Sequence, residues 1–167
     1  MTDFINNPAI TKHTRPPGIL VCDHYNKAVG YVVNRTDGAR NWHITFTLSG
    51  TGIYKVLRRN WNCQAGDVVI IPPNMSHYYA TNSEQPWNFI WAHFTPKGDW
   101  LDLLKSLEKS NNVIFLSIKN QITHNKLLQT FKQLQHCSIQ QDAIHNRIAY
   151  NSLEYILLLL AQYNAKK

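Results

Sequence analysis

Three histidines fall in segments with strand character, and histidine is both a common metal ligand and a proton carrier near neutral pH. They are His43 within the run 42–48, His77 shortly after Pro72-Pro73, and His93 near the end of an aromatic segment. A stable transition-metal site in a protein generally uses three or four side-chain ligands. His43 and His77 supply two ligands, which are too few by themselves, and His93 is the one further candidate for a third. We therefore expect no functional metal and no cofactor.

The sequence also contains no residue pattern that is typical of other classes of enzyme. The ten carboxylates form no close pair on a predicted strand, and no G-x-S-x-G nucleophile motif is present. Cys22, Cys63 and Cys137 are far apart and form no C-x-x-C pair, which favours a reducing compartment over a disulfide scaffold. We therefore expect a protein that is not an enzyme.

A binding pocket is the chemistry that the residue pattern favours instead. Side chains two residues apart on a strand share a face, so His77 and Tyr79 form one set, and Phe89, Trp91 and His93 form another. Aromatic rings, imidazoles and a cation suit a small polar ligand with apolar patches, such as a sugar whose C–H face stacks on a ring. The alternative for these residues is ordinary core packing. The expected ligand-binding residues on strands are Arg35, His77, Tyr79, Phe89, Trp91 and His93.

The elements that must hold these residues are short strands with no helix between them. The run 42–48 alternates with period two, and after a glycine-containing turn the segment 53–57 is predicted to return as the second strand of a hairpin. Residues 68–71 form an apolar run that prolines end, and 87–94 form an aromatic last strand. Short strands that end at glycine-containing turns or prolines, with no helix between them, predict a β-sandwich or β-barrel.

After Pro96 the apolar residues take helical spacing. A first helix is predicted with Asp99 as its N-cap, a second over 122–134 and a third over about 142–163. Helices that follow the strands as a group give an α+β fold. The predicted parts are an N-terminal arm at 1–18, a β-barrel at 19–96 and a helical region at 97–167.

The last predicted helix has two apolar stripes, whereas a surface helix needs one apolar face. One stripe, which includes Leu153 and Leu157, can pack on the barrel. The other then needs a partner, and a second copy of the chain is the simplest one, with Asn151 able to fix the register. The alternative is that both stripes are buried within one monomer. The expected dimer-interface residues are Ile144, Ile148, Asn151, Tyr155 and Leu158.

The formal net charge of +7 is compatible with an acidic partner such as nucleic acid. The basic residues, however, occur at most in pairs such as Arg58-Arg59 and form no basic helix that would read a DNA groove. The longest apolar run, 156–161, is too short to span a membrane, and the N-terminus lacks a signal-peptide core. We expect a soluble cytoplasmic protein that contacts no membrane.

The segment 66–79 resembles the second cupin motif, in which a glycine, five residues, P-x-G, two residues and a histidine follow one another. Here Asn74 takes the place of the turn glycine and His77 is the histidine. The first cupin motif supplies H-x-H and a downstream glutamate, but this sequence has His43-Ile44-Thr45, and Leu48-Ser49-Gly50 where the glutamate should fall. The resemblance implies a cupin-like jelly-roll barrel, with a metal-dependent cupin enzyme as the alternative function.

Over nearly its whole length the sequence also resembles the ligand-binding and dimerisation domain of AraC-type transcription regulators. The motifs that carry the resemblance are Arg35-Thr36-Asp37-Gly38, Ser49-Gly50-x-Gly52, Ala65-Gly66-Asp67, His77-Tyr78-Tyr79, Trp87-x-Phe89-x-Trp91 and Asn151-Ser152-Leu153-Glu154. The resemblance implies a barrel that holds a monosaccharide, an N-terminal arm that closes over it, and terminal helices that form an antiparallel homodimer. DNA contact would belong to helix-turn-helix units expected after residue 167, outside this chain.

The resemblance also assigns roles to single residues. The matches are Arg35 for the sugar-binding arginine, Tyr79 for the binding tyrosine, His77 for a pocket histidine, Trp91 for the tryptophan on which the sugar stacks and Pro8 for a proline of the arm. Phe89 stands where arabinose-binding members have a ligand-contacting histidine. This departure argues against L-arabinose itself and favours another sugar or a more apolar effector.

Overall fold

The computed structural model describes residues 18–166 apart from Ser83, Glu108 and Gln141. Pro8, like the predicted arm up to residue 17, lies outside the described residues. The strands within them are β1 (Gly18–Lys27), β2 (Val32–Arg35), β3 (Trp42–Gly50), β4 (Gly52–Val56), β5 (Arg59–Cys63), β6 (Asp67–Ile71), β7 (His77–Thr81), β8 (Trp87–Thr95) and β9 (Ile114–Ser117). The helices within them are α1 (Gly98–Ser106), α2 (Gln121–Ser138) and α3 (Ala143–Asn164).

The described strands form two antiparallel sheets. One has the order β1-β8-β3-β6-β9, and the other has the order β2-β7-β4-β5. Both sheets contribute to one buried cluster, which contains Tyr54 and Tyr79 from the second sheet and Phe89 and Trp91 from the first. Strands that are distant in sequence lie side by side, as in a jelly roll. The predicted α+β fold, a double-sheet barrel followed by helices, is confirmed.

The outer face of the five-stranded sheet packs against the helices. Along β8, Phe89 and Trp91 belong to the cluster between the sheets, whereas Ile90 and Phe94 belong to a second buried cluster shared with the helices. Both faces of β8 are buried because a different layer covers each of them. This strand therefore lies between the inter-sheet space and the helical layer.

The predicted hairpin of β3 and β4 is wrong, because these strands enter different sheets. β3 pairs with β6 and β8, while β4 pairs with β5 and β7. The chain turns this corner at Gly50, whose φ of 72° is left-handed, and a Cβ atom there would collide with the carbonyl group of Pro86. The hairpin that does form joins β4 to β5 through Leu57. Alternation along a strand defines its faces and leaves its pairing partner open.

The segment 97–167 differs from expectation in two details. It supplies β9, which pairs with β6 and extends the five-stranded sheet; four residues are too few for periodicity to mark a strand. Lys97, and not Asp99, is the N-cap of α1, and Asp99 lies in the first turn, where its carboxylate interacts favourably with the helix dipole. The division of the chain at residues 18 and 96 stays a prediction.

Capping side chains start α2 and α3 close to the predicted positions. Asn120 accepts a hydrogen bond of 3.0 Å from the backbone N–H of Thr123, and Asp142 accepts from the backbone N–H groups of Ile144 and His145. The two helices pack against each other. In the part of the chain that the structure describes, no helix has the length and apolarity required to cross a membrane.

Candidate functional site

The predicted ligand-binding residues of the strands meet between the two sheets. Arg35 and His77 occupy paired positions of β2 and β7, and Tyr79 lies two residues further along β7. Trp91 and His93 lie on β8 of the facing sheet, with ring centroids 5.9 Å apart. No more than 4% of any of these five residues is exposed. Their burial is compatible with either a ligand site or a filled core, and their hydrogen bonds show which polar atoms are already engaged within the protein.

Aromatic rings gather where β8 begins. The ring centroid of Tyr25 lies 5.8 Å from that of Phe89 and 5.3 Å from that of Trp91, and the ring centroid of Tyr31 lies 6.4 Å from that of Phe89. The ammonium group of Lys27 lies 3.9 Å from the centroid of the Tyr25 ring, in cation–π contact. Sequence reasoning missed Tyr25 and Tyr31, because only the pairing of β1 with β8 brings Tyr25 opposite Phe89.

Polar side chains form a continuous hydrogen-bonded chain near the other end of β8. Asn41 Oδ1 lies 3.0 Å from His93 Nδ1, and His93 Nε2 lies 3.1 Å from His43 Nδ1. His43 Nε2 lies 2.9 Å from the Tyr54 hydroxyl and 2.8 Å from the Thr45 hydroxyl. All five residues are buried. We call this set, Asn41, His93, His43, Thr45 and Tyr54, the buried relay; alternation along β3 was the sequence signal that could have added Thr45 to it.

The amide oxygen of Asn41 fixes the protons of the buried relay, because it can only accept. His93 donates from Nδ1 and accepts at Nε2. His43 likewise donates from Nδ1 and accepts at Nε2. Burial lowers the pKa of each ring well below its ordinary value of 6.5, and the positive charge of Arg35 lowers both further, so both imidazoles are neutral and each carries its single proton on Nδ1. His93, expected to contact a ligand, has both ring nitrogens engaged inside the protein.

His77 uses only one of its two ring nitrogens. Nδ1 donates to the carbonyl oxygen of Met75 at 2.7 Å. Nε2 is therefore an acceptor, and it is buried with no hydrogen-bond partner among the described residues. Burial lowers the pKa of His77 to about 4, and the charge of Arg35 lowers it too, while the hydrogen bond to Met75 opposes both effects. A neutral His77 thus presents an unused acceptor between the sheets.

Arg35 supplies positive charge and hydrogen-bond donors to the same space. Burial raises the pKa of Tyr79, whereas the charge of Arg35 and its hydrogen bond to the Tyr79 hydroxyl lower it. A guanidinium group in a space that excludes water interacts more strongly with charges and dipoles than one in water. Arg35, His77 and the rings of Tyr79 and Trp91 together offer donors, an acceptor and apolar faces to a small molecule.

The histidines do not converge on a common point that would suit a metal ion. Both ring nitrogens of His43 take part in the buried relay, and the ring centroids of His43 and His77 are 6.1 Å apart. Over the described residues, no group of three or more His, Cys, Asp or Glu side chains is placed to hold an ion.

The two predicted stripes of α3 differ in exposure. The stripe that contains Leu153 and Leu157 is buried against the rest of the chain. In the other stripe Ile144 is 71%, Tyr155 45% and Leu158 46% exposed, Asn151 is exposed and Ile148 is half-buried. These exposures contradict the alternative in which both stripes are buried within one monomer.

Comparison with known proteins relates the chain to a family of regulators. A family model described as the AraC-like ligand binding domain matches residues 21–158. The arabinose operon regulatory protein of Escherichia coli (strain K12) is 28% identical over 80 residues, which cover 47% of this chain and 27% of that protein. The Msm operon regulatory protein of Streptococcus mutans is 31% identical over 79 residues, which cover 46% of this chain and 28% of that protein. The matched stretches thus span about a quarter of the length of these relatives.

Solved structures of ToxT from Vibrio cholerae have a similar fold. An apo variant matches with a TM-score of 0.56 at 10% identity, over 87% of this chain and 54% of that one. A form with bound unsaturated fatty acid matches with a TM-score of 0.50 at 10% identity, over 90% of this chain and 53% of that one. At this identity the likeness concerns the fold, a double-sheet barrel followed by helices.

Proposed function

Since the chain belongs to the AraC-like ligand binding domain family, we propose that it is the effector-sensing and dimerising part of a transcription regulator and that a sugar or sugar-like molecule binds between its sheets. In this proposal the chain is not an enzyme and acts in the cytoplasm. DNA is contacted only by a domain outside this chain.

The unused acceptor of His77 is the observation that carries the proposal. A buried acceptor without a donor costs roughly 1–3 kcal/mol relative to a satisfied one. A ligand hydroxyl that donates to Nε2 removes this cost, whereas a carbonyl or carboxylate oxygen at the same place cannot donate. The bond to Met75 holds the ring so that Nε2 stays the acceptor.

The neighbours of His77 suit the rest of a sugar. Arg35, opposite His77 on β2, supplies donors for ring and hydroxyl oxygens, and Tyr79 places a hydroxyl beside it. The indole of Trp91 offers an apolar face for the C–H groups of a sugar ring. We assign His93 an indirect role, in which the buried relay orients it beside Trp91.

A more apolar effector with a carboxylate is the second candidate. Phe89 lies among the rings of Tyr25 and Tyr31, and Arg35 would pair with a carboxylate. The structure of ToxT with an unsaturated fatty acid shows that one protein with this fold takes such a ligand. An apolar chain would lie along the rings near the start of β8.

The exposed stripe of α3 is the proposed dimer interface. Ile144 and Leu158 lie seven residues before and after Asn151, so an antiparallel second copy would bring the Ile144 of each chain towards the Leu158 of the other. Asn151 would then meet its own counterpart near the two-fold axis.

Calorimetric titration tests the proposed site with two matched variants. His77→Asn keeps a donor for Met75 and removes the acceptor, and His77→Gln keeps an acceptor near the position of Nε2. With a panel of pentoses, hexoses and disaccharides, we expect one sugar to bind, about tenfold more weakly to His77→Asn and less weakened in His77→Gln. Long-chain fatty acids in the same titration test the second candidate, whose carboxylate cannot donate to His77. His136→Gln, at an exposed position, is the control.

Two results would overturn the proposal. One is the absence of binding across the panel, and the other is equal affinity of the wild type and His77→Asn. Stoichiometric iron, zinc or manganese in untagged purified protein would favour a metal-dependent cupin enzyme instead.

A further inference from the structure

A cavity lies outside the inter-sheet space, at the loop between β2 and β3. It has a volume of about 370 Å³ and is lined by residues 34–38, Arg40 and Asn74. Its charged lining residues are Arg35, Arg40 and Asp37, whose formal charges sum to +1. The remaining lining residues are Asn34, Thr36, Gly38 and Asn74, so no large apolar side chain lines the cavity.

Backbone packing forms the walls of this outer cavity. Gly38 has a φ of 70°, and a Cβ atom there would lie 2.5–2.7 Å from backbone atoms of Asn74 and Met75. The loop therefore lies directly against the turn between β6 and β7. The backbone N–H of Gly38 donates to the carbonyl oxygen of Arg35 at 3.1 Å, and that of Asn74 donates to the carbonyl oxygen of Ala39. These contacts fix the loop against the turn and so define one wall of the cavity.

Arg35 connects the outer cavity with the space between the sheets. It is 4% exposed and lines the cavity, yet its charge also lowers the pKa of His43, His77 and His93. Little water screens this charge, so it attracts an anion more strongly than an exposed arginine does. Arg40 is exposed and brings a second guanidinium group to the rim. The planar guanidinium group matches the oxygens of carboxylates and phosphates.

We propose that the outer cavity binds a carboxylate or phosphate group, with Arg40 as a direct ligand and Arg35 as the buried charge behind it. Such a group could belong to a free small anion or to an acidic arm of an organic molecule. The carboxylate of Asp37 repels the bound anion and so limits the affinity of the cavity for it. Because Arg35 faces both spaces, an anion in the outer cavity would act on the inter-sheet site through that side chain.

Titration of the ¹⁵N-labelled protein with inorganic phosphate or acetate, at constant ionic strength, tests this site through the amide signals of residues 36–40. We expect saturable shifts, about tenfold weaker binding to Arg40→Gln and about threefold tighter binding to Asp37→Asn. Arg58→Gln, at an exposed arginine of the β4–β5 hairpin, should bind like the wild type. Glucuronate distinguishes the sources, because an acidic arm of an organic ligand predicts that it binds more tightly than acetate.

Two outcomes would overturn the proposal. One is the absence of saturable shifts with either anion, and the other is an equal loss of affinity in Arg40→Gln and Arg58→Gln. Neither outcome bears on the proposed binding of neutral sugars, because that site lies between the sheets and needs no anion in the outer cavity.

Discussion

His43 donates from Nδ1 to Nε2 of His93 across 3.1 Å, at directly paired positions of β3 and β8. Because the Asn41 oxygen accepts the next hydrogen bond, the protons of the chain are ordered in one direction, from His43 through His93 to Asn41. Both rings have every nitrogen engaged, whereas one nitrogen of His77 has no hydrogen-bond partner among the described residues. The histidines of the inter-sheet space thus differ in what they can offer to a ligand.

Loss of the Asn41 side chain should destabilise the fold. Asn41→Ala leaves the buried N–H at His93 Nδ1 without this acceptor, so we expect the free energy of unfolding to fall by about 1–3 kcal/mol. Urea denaturation measures the change. Asn60→Ala, at an exposed position of β5, should stay within about 0.5 kcal/mol of the wild type. Equal effects of the two substitutions would show that the buried relay adds no stability.

Stability should fall as the pH drops from about 6.5 to about 4. Burial lowers the pKa of His77 from 6.5 to about 4, so in this interval the unfolded chain binds a proton that the folded chain does not. The contribution of His77 is about 3 kcal/mol over the interval, and His43 and His93 act in the same direction. Urea denaturation between pH 4 and pH 7 measures the slope. His77→Asn should reduce it and His136→Gln should not, and equal slopes in all three proteins would contradict this prediction.

The corner between β3 and β4 should tolerate no side chain at Gly50. Gly50→Ala forces a collision with the carbonyl group of Pro86 at a left-handed φ, so we expect a loss of at least about 2 kcal/mol in the free energy of unfolding. Gly98→Ala is the matched control, because a Cβ at this first residue of α1 meets nothing within 4 Å. It should raise stability by up to about 1 kcal/mol. Thermal and urea unfolding test both substitutions. A Gly50→Ala variant as stable as the wild type would contradict the close approach of Gly50 to the carbonyl group of Pro86.

The dimer prediction concerns the exposed stripe of α3. Leu158→Asp places a charge in the proposed interface, where a partner would have to bury it, so we expect monomers in sedimentation or sizing experiments. Leu57→Asp changes a residue that is 70% exposed on the β4–β5 hairpin and should leave the dimer intact. A wild type that is monomeric at micromolar concentration would contradict the proposed dimer, and a Leu158→Asp variant that stays dimeric would place the interface elsewhere.

Much of the site was predictable from alternation along single strands. His77 and Tyr79, and likewise Phe89 and Trp91, are two residues apart, and a pleated strand places such pairs on one face whatever its neighbours are. The same reasoning could not find Tyr25 or Tyr54. Each enters the site through a pairing between strands that are distant in the sequence, β1 with β8 and β4 with β7.

The sequence by itself determined the α+β order, the inward faces of the strands and the two stripes of α3, because each follows from local periodicity and from turn residues. Only the tertiary structure decided that β3 and β4 part at Gly50 into different sheets, that His93 is held by His43 and Asn41, and that His77 retains an acceptor. Strand pairing and hydrogen-bond partners depend on contacts between distant segments, and such contacts leave no periodic signal in one sequence.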